Sequence, residues 1–163
     1  MSDVRRKLRE RLNQPNILLL PGVYDGICGR LVEQAGFEAV YMTGSGTAMA
    51  RYGVPDIGLV TMSEMASAVA VLADSVSIPL IADADTGYGN ALNVQRTVKE
   101  YERAGVAALQ FEDQEFPKRC GHLAGKQVIT AEEMVGKLKA ALDARTDPDL
   151  LIISRTDARA VMG

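Results

Sequence analysis

A chain of 163 residues is long enough for one domain with a buried core, and its net charge of −3, with no extended basic cluster, argues against nucleic-acid binding. No apolar run is long enough to span a membrane, and the basic N-terminal residues are followed by more charge instead of an export signal. Two cysteines far apart in such a chain indicate free thiols, so we place the protein in the cytoplasm.

The first third of the chain predicts two strands, each followed by a different kind of segment. Basic residues between Arg5 and Arg11 alternate with apolar ones, which we interpret as a helix with a solvated charged face. Residues 16–23 predict a strand, and residues 24–34 a helix that Gly36 ends. Residues 39–43 predict a second strand, followed by a small-residue loop at 44–47 whose backbone N–H groups can surround an anion.

The rest of the chain repeats the pattern of helix and strand. Thr61 and Glu64 have the spacing of a capping box, which predicts a helix to about residue 74. Asn90 is placed to cap another helix, which stops at Gly105. The remaining predicted elements are a third strand near 78–83, a fourth at 107–112, a polar loop at 114–129, a helix from Thr130 to about 144, and a fifth strand at 149–154.

Polar side chains lie near the C-terminal ends of several predicted strands: Tyr41 and Thr43, Asp83 and Asp85, Glu112 and Asp113, and Arg155 and Asp157. A doubly wound sheet usually places its site at one switch point, whereas a barrel uses the ends of many strands. The sequence therefore predicts an α/β fold of the (β/α)8 TIM-barrel type. Because a whole barrel takes about 250 residues, we interpret residues 1–163 as the first five β/α units of a single, incomplete barrel domain.

The clearest candidate for a metal site is the pair Asp83 and Asp85. Side chains alternate along a strand, so two carboxylates at its end are expected on the same side, where they repel unless a cation lies between them. Oxygen ligands beside a glycine-rich segment suit Mg²⁺, or Mn²⁺, better than zinc. The alternative is that one aspartate caps the next helix and the other is a solvated loop residue.

A second candidate is Cys120, in the long loop after the fourth strand. Lys118, Arg119 and a protonated His122 would favour its thiolate form, and Gly121 allows the backbone to approach a ligand. His122 could assist Cys120, contact a ligand or hydrogen-bond within the loop. Cys28 lies in an apolar helix and is interpreted as a packing residue.

Five motifs in the same order resemble the isocitrate lyase and phosphoenolpyruvate mutase superfamily, and within it the 2-methylisocitrate lyase and 2,3-dimethylmalate lyase branch. They are Tyr-Gly-Val-Pro-Asp at 52–56, Asp-Ala-Asp-Thr-Gly-Tyr-Gly at 83–89, Glu-Asp-Gln at 112–114, Lys-Arg-Cys-Gly-His at 118–122 and Arg-Thr-Asp-Ala at 155–158. The choice of branch depends mainly on the motif that contains Cys120.

The resemblance implies roles for individual residues of this sequence. Asp83 and Asp85 would hold Mg²⁺ directly or through water, with Asp56 and Glu112 around the metal and its waters. Cys120 would be the general acid, and Tyr41 a proton acceptor. The substrate would be bound by Thr43, Gly44, Ser45, Asp83, Cys120, Gly121 and Arg155, the first three of which would cradle the carboxylate of a 2-oxo acid.

The activity implied is Mg²⁺-dependent cleavage of a carbon–carbon bond in 2-methylisocitrate or a 2-alkylmalate, which gives a 2-oxo acid such as pyruvate and a second carboxylate. A homo-oligomer, a tetramer, is also implied. Two departures leave the substrate open: the loop continues as Leu-Ala-Gly-Lys at 123–126, as in members that act on alkylmalates and oxaloacetate, and Ser154 stands where alanine is commoner. Alternatives are oxaloacetate decarboxylase or phosphonopyruvate-type chemistry, or a non-catalytic remnant that binds 2-oxo acids.

Overall fold

A computed structural model describes residues 2–163. Five parallel strands form one sheet in the order β1-β2-β3-β4-β5: β1 (Gly22–Val23), β2 (Val40–Met42), β3 (Leu80–Asp83), β4 (Ala108–Glu112) and β5 (Leu151–Arg155). The helices are α1 (Ser2–Leu12), α2 (Gly26–Gln34), α3 (Gly44–Thr47), α4 (Met62–Ser75), α5 (Ala91–Ala104), α6 (Ala131–Ala144) and α7 (Ala158–Met162), with a π-helical turn at Ala48–Tyr52 after α3. The predicted α/β class and the five strand-and-helix units are confirmed.

Alternation along the strands gives the sheet two different faces. On one face, residues such as Met42, Ala82 and Leu109 pack with helical side chains in the main apolar core. On the other face, Ile81 and Ala108 belong to a smaller cluster, against which Tyr41, Leu151 and Ile153 also pack. Because side chains alternate with a period of two, this second face also carries Asp83, Gln110, Glu112 and Arg155 at the C-terminal ends of the strands.

Helix α1 closes the opposite end of the second face. Leu8 is 1% exposed and packs with Ile81, Ala107 and Ala108 near the starts of β3 and β4. The predicted helix is present, but the expectation of a solvated basic face is wrong for Arg5, which is 4% exposed. Its guanidinium donates to the carbonyls of Val106 and Glu102 and to the Asp147 carboxylate, so its charge and hydrogen bonds are satisfied inside the protein.

Two predicted elements differ in extent from the structure. The first strand was expected at 16–23, but only Gly22–Val23 is strand, while Ile17 and Leu19 are 85% and 66% exposed. Within the part of the chain that the structure describes, β1 pairs with β2 alone, and the residues before it have no facing strand to extend the ladder. An apolar run alone therefore overestimated the strand.

The predicted loop at 44–47 is the short helix α3. Thr43 caps it, because its Oγ1 accepts a hydrogen bond of 3.2 Å from the Gly46 N–H. The chain continues through the π-helical turn and leaves it at Gly53, whose φ of 64° favours glycine. Glycine and serine are weak helix formers, so composition favoured a loop where the cap and packing produce a helix.

Within the described residues, none of the helices is long and apolar enough to cross a membrane. Cys28 and Cys120 are both free thiols, and Cys28 packs against the main core as predicted.

Candidate active site

A cleft of about 500 Å³ lies at the C-terminal ends of the strands, on the face that carries Asp83 and Arg155. Most of the predicted site residues line it, although they come from separate parts of the chain. The lining residues are Tyr41, Thr43, Ser45, Gly46, Met49, Asp56, Asp83, Lys118, Cys120, Gly121, His122 and Arg155. Gly44, Asp85 and Glu112 are buried behind this lining.

Asp83 and Asp85 are held at the end of β3 by different backbone conformations. The Asp83 carboxylate accepts hydrogen bonds from the Gly44 N–H at 3.2 Å and from the Asp85 N–H at 2.9 Å. The strand ends at Asp83, and Asp85 has a φ of 46°, so the strand alternation on which the prediction depended does not extend to Asp85. A turn, and not the strand, places the second carboxylate.

The structure excludes the alternative in which one aspartate of this pair caps the next helix and the other is a solvated loop residue. Asn90, not an aspartate, caps α5, through its Oδ1 and the Leu92 and Asn93 N–H groups. Asp83 and Asp85 are only 8% and 9% exposed, so neither is a solvated loop residue. Two buried carboxylates next to each other need compensating charge.

Part of that charge comes from Lys118, which sequence reasoning treated only as a neighbour of Cys120. Its ammonium nitrogen lies 2.8 Å from Asp85 Oδ1, an ion pair without hydrogen-bond geometry, and it also pairs with Asp56. Burial alone would lower the pKa of Lys118, but Asp85 and Asp56 outweigh burial and raise it. Lys118 therefore stays charged and ties its loop to both aspartates.

Lys118 and Arg155 do not fully offset the burial and mutual repulsion of the carboxylates at the site. Burial, and then the charge of Asp83, raises the pKa of Asp85 to about 7 despite Lys118. Burial likewise raises the pKa of Glu112 to about 7, although Arg155 Nη1 lies 3.3 Å from Glu112 Oε2. These shifts are what closely placed carboxylates show when nearby cations do not fully compensate them.

The donor set fits a divalent cation. Among the described residues, Asp56 and Asp85 pair with Lys118 and Glu112 pairs with Arg155, whereas Asp83 accepts only backbone N–H groups and Glu112 Oε1 is buried without a hydrogen-bond partner. Among residues 2–163, no three His, Cys, Asp or Glu side chains form a closed metal cage. Mg²⁺ commonly binds through one or two carboxylates and keeps its other positions for water or substrate, so an open aspartate pair suits it.

Tyr41 lies on the same face and shares a hydrogen bond with Gln110, whose Nε2 donates to the phenolic oxygen at 2.8 Å. Burial, and then Asp83, raises the pKa of Tyr41. The phenolate is therefore disfavoured. This environment suits a hydroxyl that donates to a ligand better than the proton acceptor that the resemblance implies.

The residues expected to cradle a carboxylate fall into two groups. Thr43 and Ser45 line the cleft. The Gly44 N–H is already bonded to Asp83, and a Cβ at this position would lie 2.6 Å from Asp83 Oδ2. The absence of a side chain at Gly44 thus permits the close approach of Asp83, and of these three residues Thr43 and Ser45 are the two that line the cleft.

The loop that contains Cys120 lies against the same cleft. The Cys120 N–H donates to the Asp56 carbonyl at 2.9 Å, and Gly121 packs so closely on the Arg155 guanidinium that a Cβ would collide with it. His122 is exposed and lines the cleft, so the three roles considered for it stay open. The structure thus brings the loop that contains Cys120 together with Asp83 and Arg155 in one cleft.

Sequence reasoning missed three residues that shape the site: Lys118 as an ion-pair partner, Gln110 on Tyr41 and the buried Gln114. Gln110 had a usable signal, because it lies two residues before Glu112 and therefore on the same strand face. The carboxylate partners of Lys118 are distant in sequence, and Gln114 contacts both the nearby Arg119 backbone and the distant Asp157, so neither residue carried a local sequence pattern that predicted its contacts.

Comparison with known proteins agrees with this geometry. The chain matches the family model described as phosphoenolpyruvate phosphomutase over residues 8–161, and it therefore belongs to that family. It is 50% identical over 157 residues to the 2,3-dimethylmalate lyase of Eubacterium barkeri, covering 96% of this chain and 54% of that protein. Over 156 residues it is 49% identical to the 2-methylisocitrate lyase of Aeropyrum pernix, covering 96% and 50%.

Solved structures share the fold. A phosphonopyruvate hydrolase in complex with oxalate and Mg²⁺ superimposes with a TM-score of 0.86 and 38% sequence identity, covering 98% of this chain and 54% of that one. The family resemblance and the barrel-type α/β fold inferred from the motifs are confirmed. The chain spans about half the length of the curated relatives it matches.

Proposed function

We propose that the protein is a Mg²⁺-dependent carbon–carbon lyase that cleaves a 2-hydroxy di- or tricarboxylate of the 2-methylisocitrate or 2-alkylmalate type into a 2-oxo acid and a second carboxylate. The observation that carries the proposal is the meeting of Cys120 with Asp83 and Arg155 in one cleft. Two relatives named as lyases of these substrates support it.

Asp83 and Asp85 are the residues that would hold Mg²⁺, since they are buried, adjacent and only partly compensated by Lys118. When bound, Mg²⁺ would act as a Lewis acid on the hydroxyl and carboxylate oxygens of the substrate. The relative that contains Mg²⁺ and oxalate supports this choice of metal.

Residues around the metal position would orient the substrate. Thr43 and Ser45 offer hydroxyl groups, and Arg155 offers a guanidinium, on the walls of the cleft. A guanidinium recognises a carboxylate through paired N–H groups, so Arg155 is suited to the carboxylate of a dicarboxylic acid. Tyr41, with its raised pKa, would donate a hydrogen bond, which leaves the role of proton acceptor to a carboxylate that does not hold the metal, such as Asp56.

Cys120 would deliver the proton that completes the reaction. Cleavage of the carbon–carbon bond leaves electron density on the carbon next to the second carboxylate, and a thiol at the cleft wall can protonate that carbon. Lys118 holds the loop against Asp56 and Asp85, which would keep bulk water away from the carbanion during this step.

The test supplies the full-length protein with Mg²⁺ and, separately, with 2-methylisocitrate, 2,3-dimethylmalate, isocitrate, oxaloacetate and phosphonopyruvate, and follows release of 2-oxo acid. We expect release from at least one of the first two substrates and loss of release when the metal is chelated. Absence of release from every tertiary hydroxy acid would reject the lyase proposal.

One other class of reaction has specific support, and a non-catalytic role is the outcome left if no substrate in the panel is turned over. The Leu-Ala-Gly-Lys sequence at 123–126, which resembles members that act on oxaloacetate as well as on alkylmalates, supports oxaloacetate chemistry in the same pocket, and the phosphonopyruvate hydrolase neighbour supports phosphonopyruvate chemistry. This class of reaction predicts turnover of those substrates alone. A non-catalytic protein that binds 2-oxo acids predicts binding of Mg²⁺ and pyruvate with no turnover of any substrate in the panel.

A further inference from the structure

The two residues on either side of Cys120 are each held by a side chain from elsewhere in the loop. Gln114 holds Arg119 at both backbone atoms: its Oε1 accepts from the Arg119 N–H, and its Nε2 donates to the Arg119 carbonyl, each at 3.0 Å. Lys126 holds the other side, because its Nζ donates to the Gly121 carbonyl at 2.6 Å. The backbone position of Cys120 is thus fixed from both directions.

Both holding side chains converge on one carboxylate. Gln114 Nε2 donates to Asp157 Oδ2 at 2.8 Å, and Lys126 Nζ donates to Asp157 Oδ1 at 3.3 Å. Asp157 is itself fixed at the end of β5, since its backbone N–H donates to Asp113 Oδ1 at 2.9 Å. Each carboxylate oxygen of Asp157 therefore anchors one of the two side chains, Gln114 and Lys126, that hold the neighbours of Cys120.

These contacts are shielded from water. Gln114 is 1% exposed, and the side chains of Lys126 and Asp157 are 8% and 13% exposed. Hydrogen bonds to a charged group are stronger than neutral ones, and burial reduces their screening by solvent. The Asp157 carboxylate is not among the groups that line the cleft, so its contribution is to the placement of other residues.

We propose that Asp157 is a positioning residue for Cys120, which it holds over the cleft through Gln114 and Lys126. The catalytic consequence rests on the proposed function, whereas the placement itself does not. Asp157 also lies two residues after Arg155, so the same strand end sets both the arginine that would bind the substrate and the thiol that would protonate it.

The first test measures the rate at which iodoacetamide alkylates Cys120 in the full-length protein, by peptide mass spectrometry, with Cys28 of the same molecules as an internal reference. The variants are Asp157→Asn, Lys126→Met and Gln114→Ala; the last changes no charge and so leaves the electrostatic field at the thiol nearly unchanged. We expect each to change the ratio of the Cys120 rate to the Cys28 rate by about tenfold, the equivalent of one strong hydrogen bond. An unchanged ratio in Asp157→Asn and Lys126→Met would overturn the proposal.

Matched controls come from exposed residues of the same types. Asp143→Asn, Lys139→Met and Gln127→Ala alter side chains that are exposed on α6 or in the same loop, and we expect the ratio to stay within twofold of the unsubstituted protein. Because Gln114 is buried, Gln114→Ala has the greatest chance of unfolding the protein, and the other two variants decide the outcome if it does.

A double-mutant cycle tests convergence on Asp157. In the Asp157→Asn background, we expect Lys126→Met to add less than half of its own effect on the alkylation ratio, because the partner of Lys126 is already altered. If the effects of Asp157→Asn and Lys126→Met on the alkylation ratio were fully additive, Lys126 would act on Cys120 without Asp157, and Asp157 would have no part in the proposal.

Steady-state kinetics with a substrate that the protein turns over distinguish a misplaced Cys120 from a general loss of structure, because the two affect kcat and KM differently. Asp157 Oδ2 also lies 3.6 Å from Arg155 Nη2, so the kinetic test uses Lys126→Met, which leaves that ion pair in place. We expect Lys126→Met to lower kcat about tenfold with KM within twofold, because a misplaced acid slows proton transfer more than it weakens binding. Equal kcat in variant and parent would contradict the proposal. If no substrate in the panel is turned over, the proposed function fails while the alkylation measurements still decide the role of Asp157.

Discussion

Cys120 is the residue on which the proposed proton delivery most directly depends. We expect Cys120→Ser to lower kcat by about 10²–10⁴-fold with little change in KM, since an alcohol is a much weaker acid than a thiol and a positioned acid contributes that much to the rate. The measurement is steady-state release of 2-oxo acid from the preferred substrate.

Cys28→Ser is the matched control for this substitution. Cys28 packs against the main core and is not part of the cleft, so the variant should keep kcat within twofold even if its melting temperature falls. If Cys120→Ser retained full kcat, the thiol would have no acid role, and phosphonopyruvate-type chemistry would be favoured.

Gly44 illustrates how a small residue sets the position of a larger one. We expect Gly44→Ala to raise the Mg²⁺ concentration required for half-maximal activity by about tenfold, because the new methyl group would lie 2.6 Å from Asp83 Oδ2 and must displace that carboxylate. A Mn²⁺ titration measures the same weakening without turnover.

Gly136→Ala provides the comparison, since a Cβ at that position in α6 meets no atom within 4 Å. Metal affinity should be unchanged, and the protein should gain about 0.5–1 kcal/mol, because alanine is the better helix former. Equal metal affinity in Gly44→Ala would mean that Asp83 does not hold the metal at this position.

The identities of the site residues could be predicted from sequence because each motif is local, but their interactions could not. Lys118 pairs with Asp56 and Asp85, which precede it by more than 30 residues, so only the folded chain shows that a lysine compensates the aspartates. The backbone at Asp85 could not be predicted for a related reason: its left-handed φ is set by the turn after β3, not by the strand pattern.

Among the helices, α5 follows the turn that contains Asp85 and is fixed at its start by Asn90. The Asn90 side chain accepts from the Leu92 and Asn93 N–H groups, and the Asn93 side chain accepts in return from the Asn90 N–H. We expect Asn90→Ala to lower the free energy of unfolding by about 1 kcal/mol, the usual loss for an N-cap. Chemical denaturation of the full-length protein measures this change.

Asn16→Ala, at an exposed position outside the helices, should leave the free energy of unfolding within about 0.5 kcal/mol of the parent value. An equal loss in both variants would indicate that the cap of α5 adds nothing to stability.

At the level of elements, the starts of α4, α5 and α6 were predictable because Thr61, Asn90 and Thr130 cap them through atoms a few residues away. The extents of β1 and α3 were not, since a strand needs a facing partner and a glycine-rich helix needs a cap and packing to offset its low propensity. Local signals located helix boundaries, and tertiary contacts decided the rest.

The molecule as a whole is tied together at its N-terminal end by Arg5. This guanidinium lies 2.9 Å from Asp147 and 3.5 Å from Glu102, both beyond β3 in the chain. We expect Arg5→Met to lower the free energy of unfolding by about 3–5 kcal/mol, because removing the guanidinium leaves the buried Glu102 and the half-buried Asp147 carboxylates uncompensated. Denaturant titration of the full-length protein measures the loss.

The comparison is Arg6→Met, one residue further along α1. Among the residues that the structure describes, Arg6 pairs with Asp3 and Glu10, whose side chains are largely exposed, and such pairs contribute about 0–1 kcal/mol. If the two variants were equally stable, the buried network around Arg5 would not determine how α1 is attached.

The same network predicts a response to acid. The hydrogen bond from Arg5 holds the pKa of Asp147 below its usual range of about 4. A carboxyl group with a lower pKa in the folded state stabilises the protein above its unfolded pKa, and that stabilisation is lost as the pH falls through the folded value. We expect the melting temperature to fall more steeply between about pH 5 and pH 3 in the parent than in Asp147→Asn.

Asp143→Asn, which alters an exposed carboxylate on α6, should keep the steep acid dependence of the parent. Identical slopes in the parent and in Asp147→Asn would assign the acid sensitivity to other groups.

At the scale of the whole molecule, the order of the five strand-and-helix units could be predicted, because strands alternate with helices and glycines mark helix ends. The way α1 attaches to the rest of the protein could not be predicted. The pattern of a basic, amphipathic segment predicts a surface helix. The buried site for Arg5 exists because the fold brings the carbonyls of Glu102 and Val106 together before β4.

The position of α1 separates stability from ligand access. Leu8 packs on Ile81, Ala107 and Ala108 near the N-terminal ends of the strands, whereas the segment that contains Cys120 lines the cleft at their C-terminal ends. Under the proposed function a ligand would approach from the end opposite α1, so we expect movement of the Cys120 segment, and not of α1, to influence turnover.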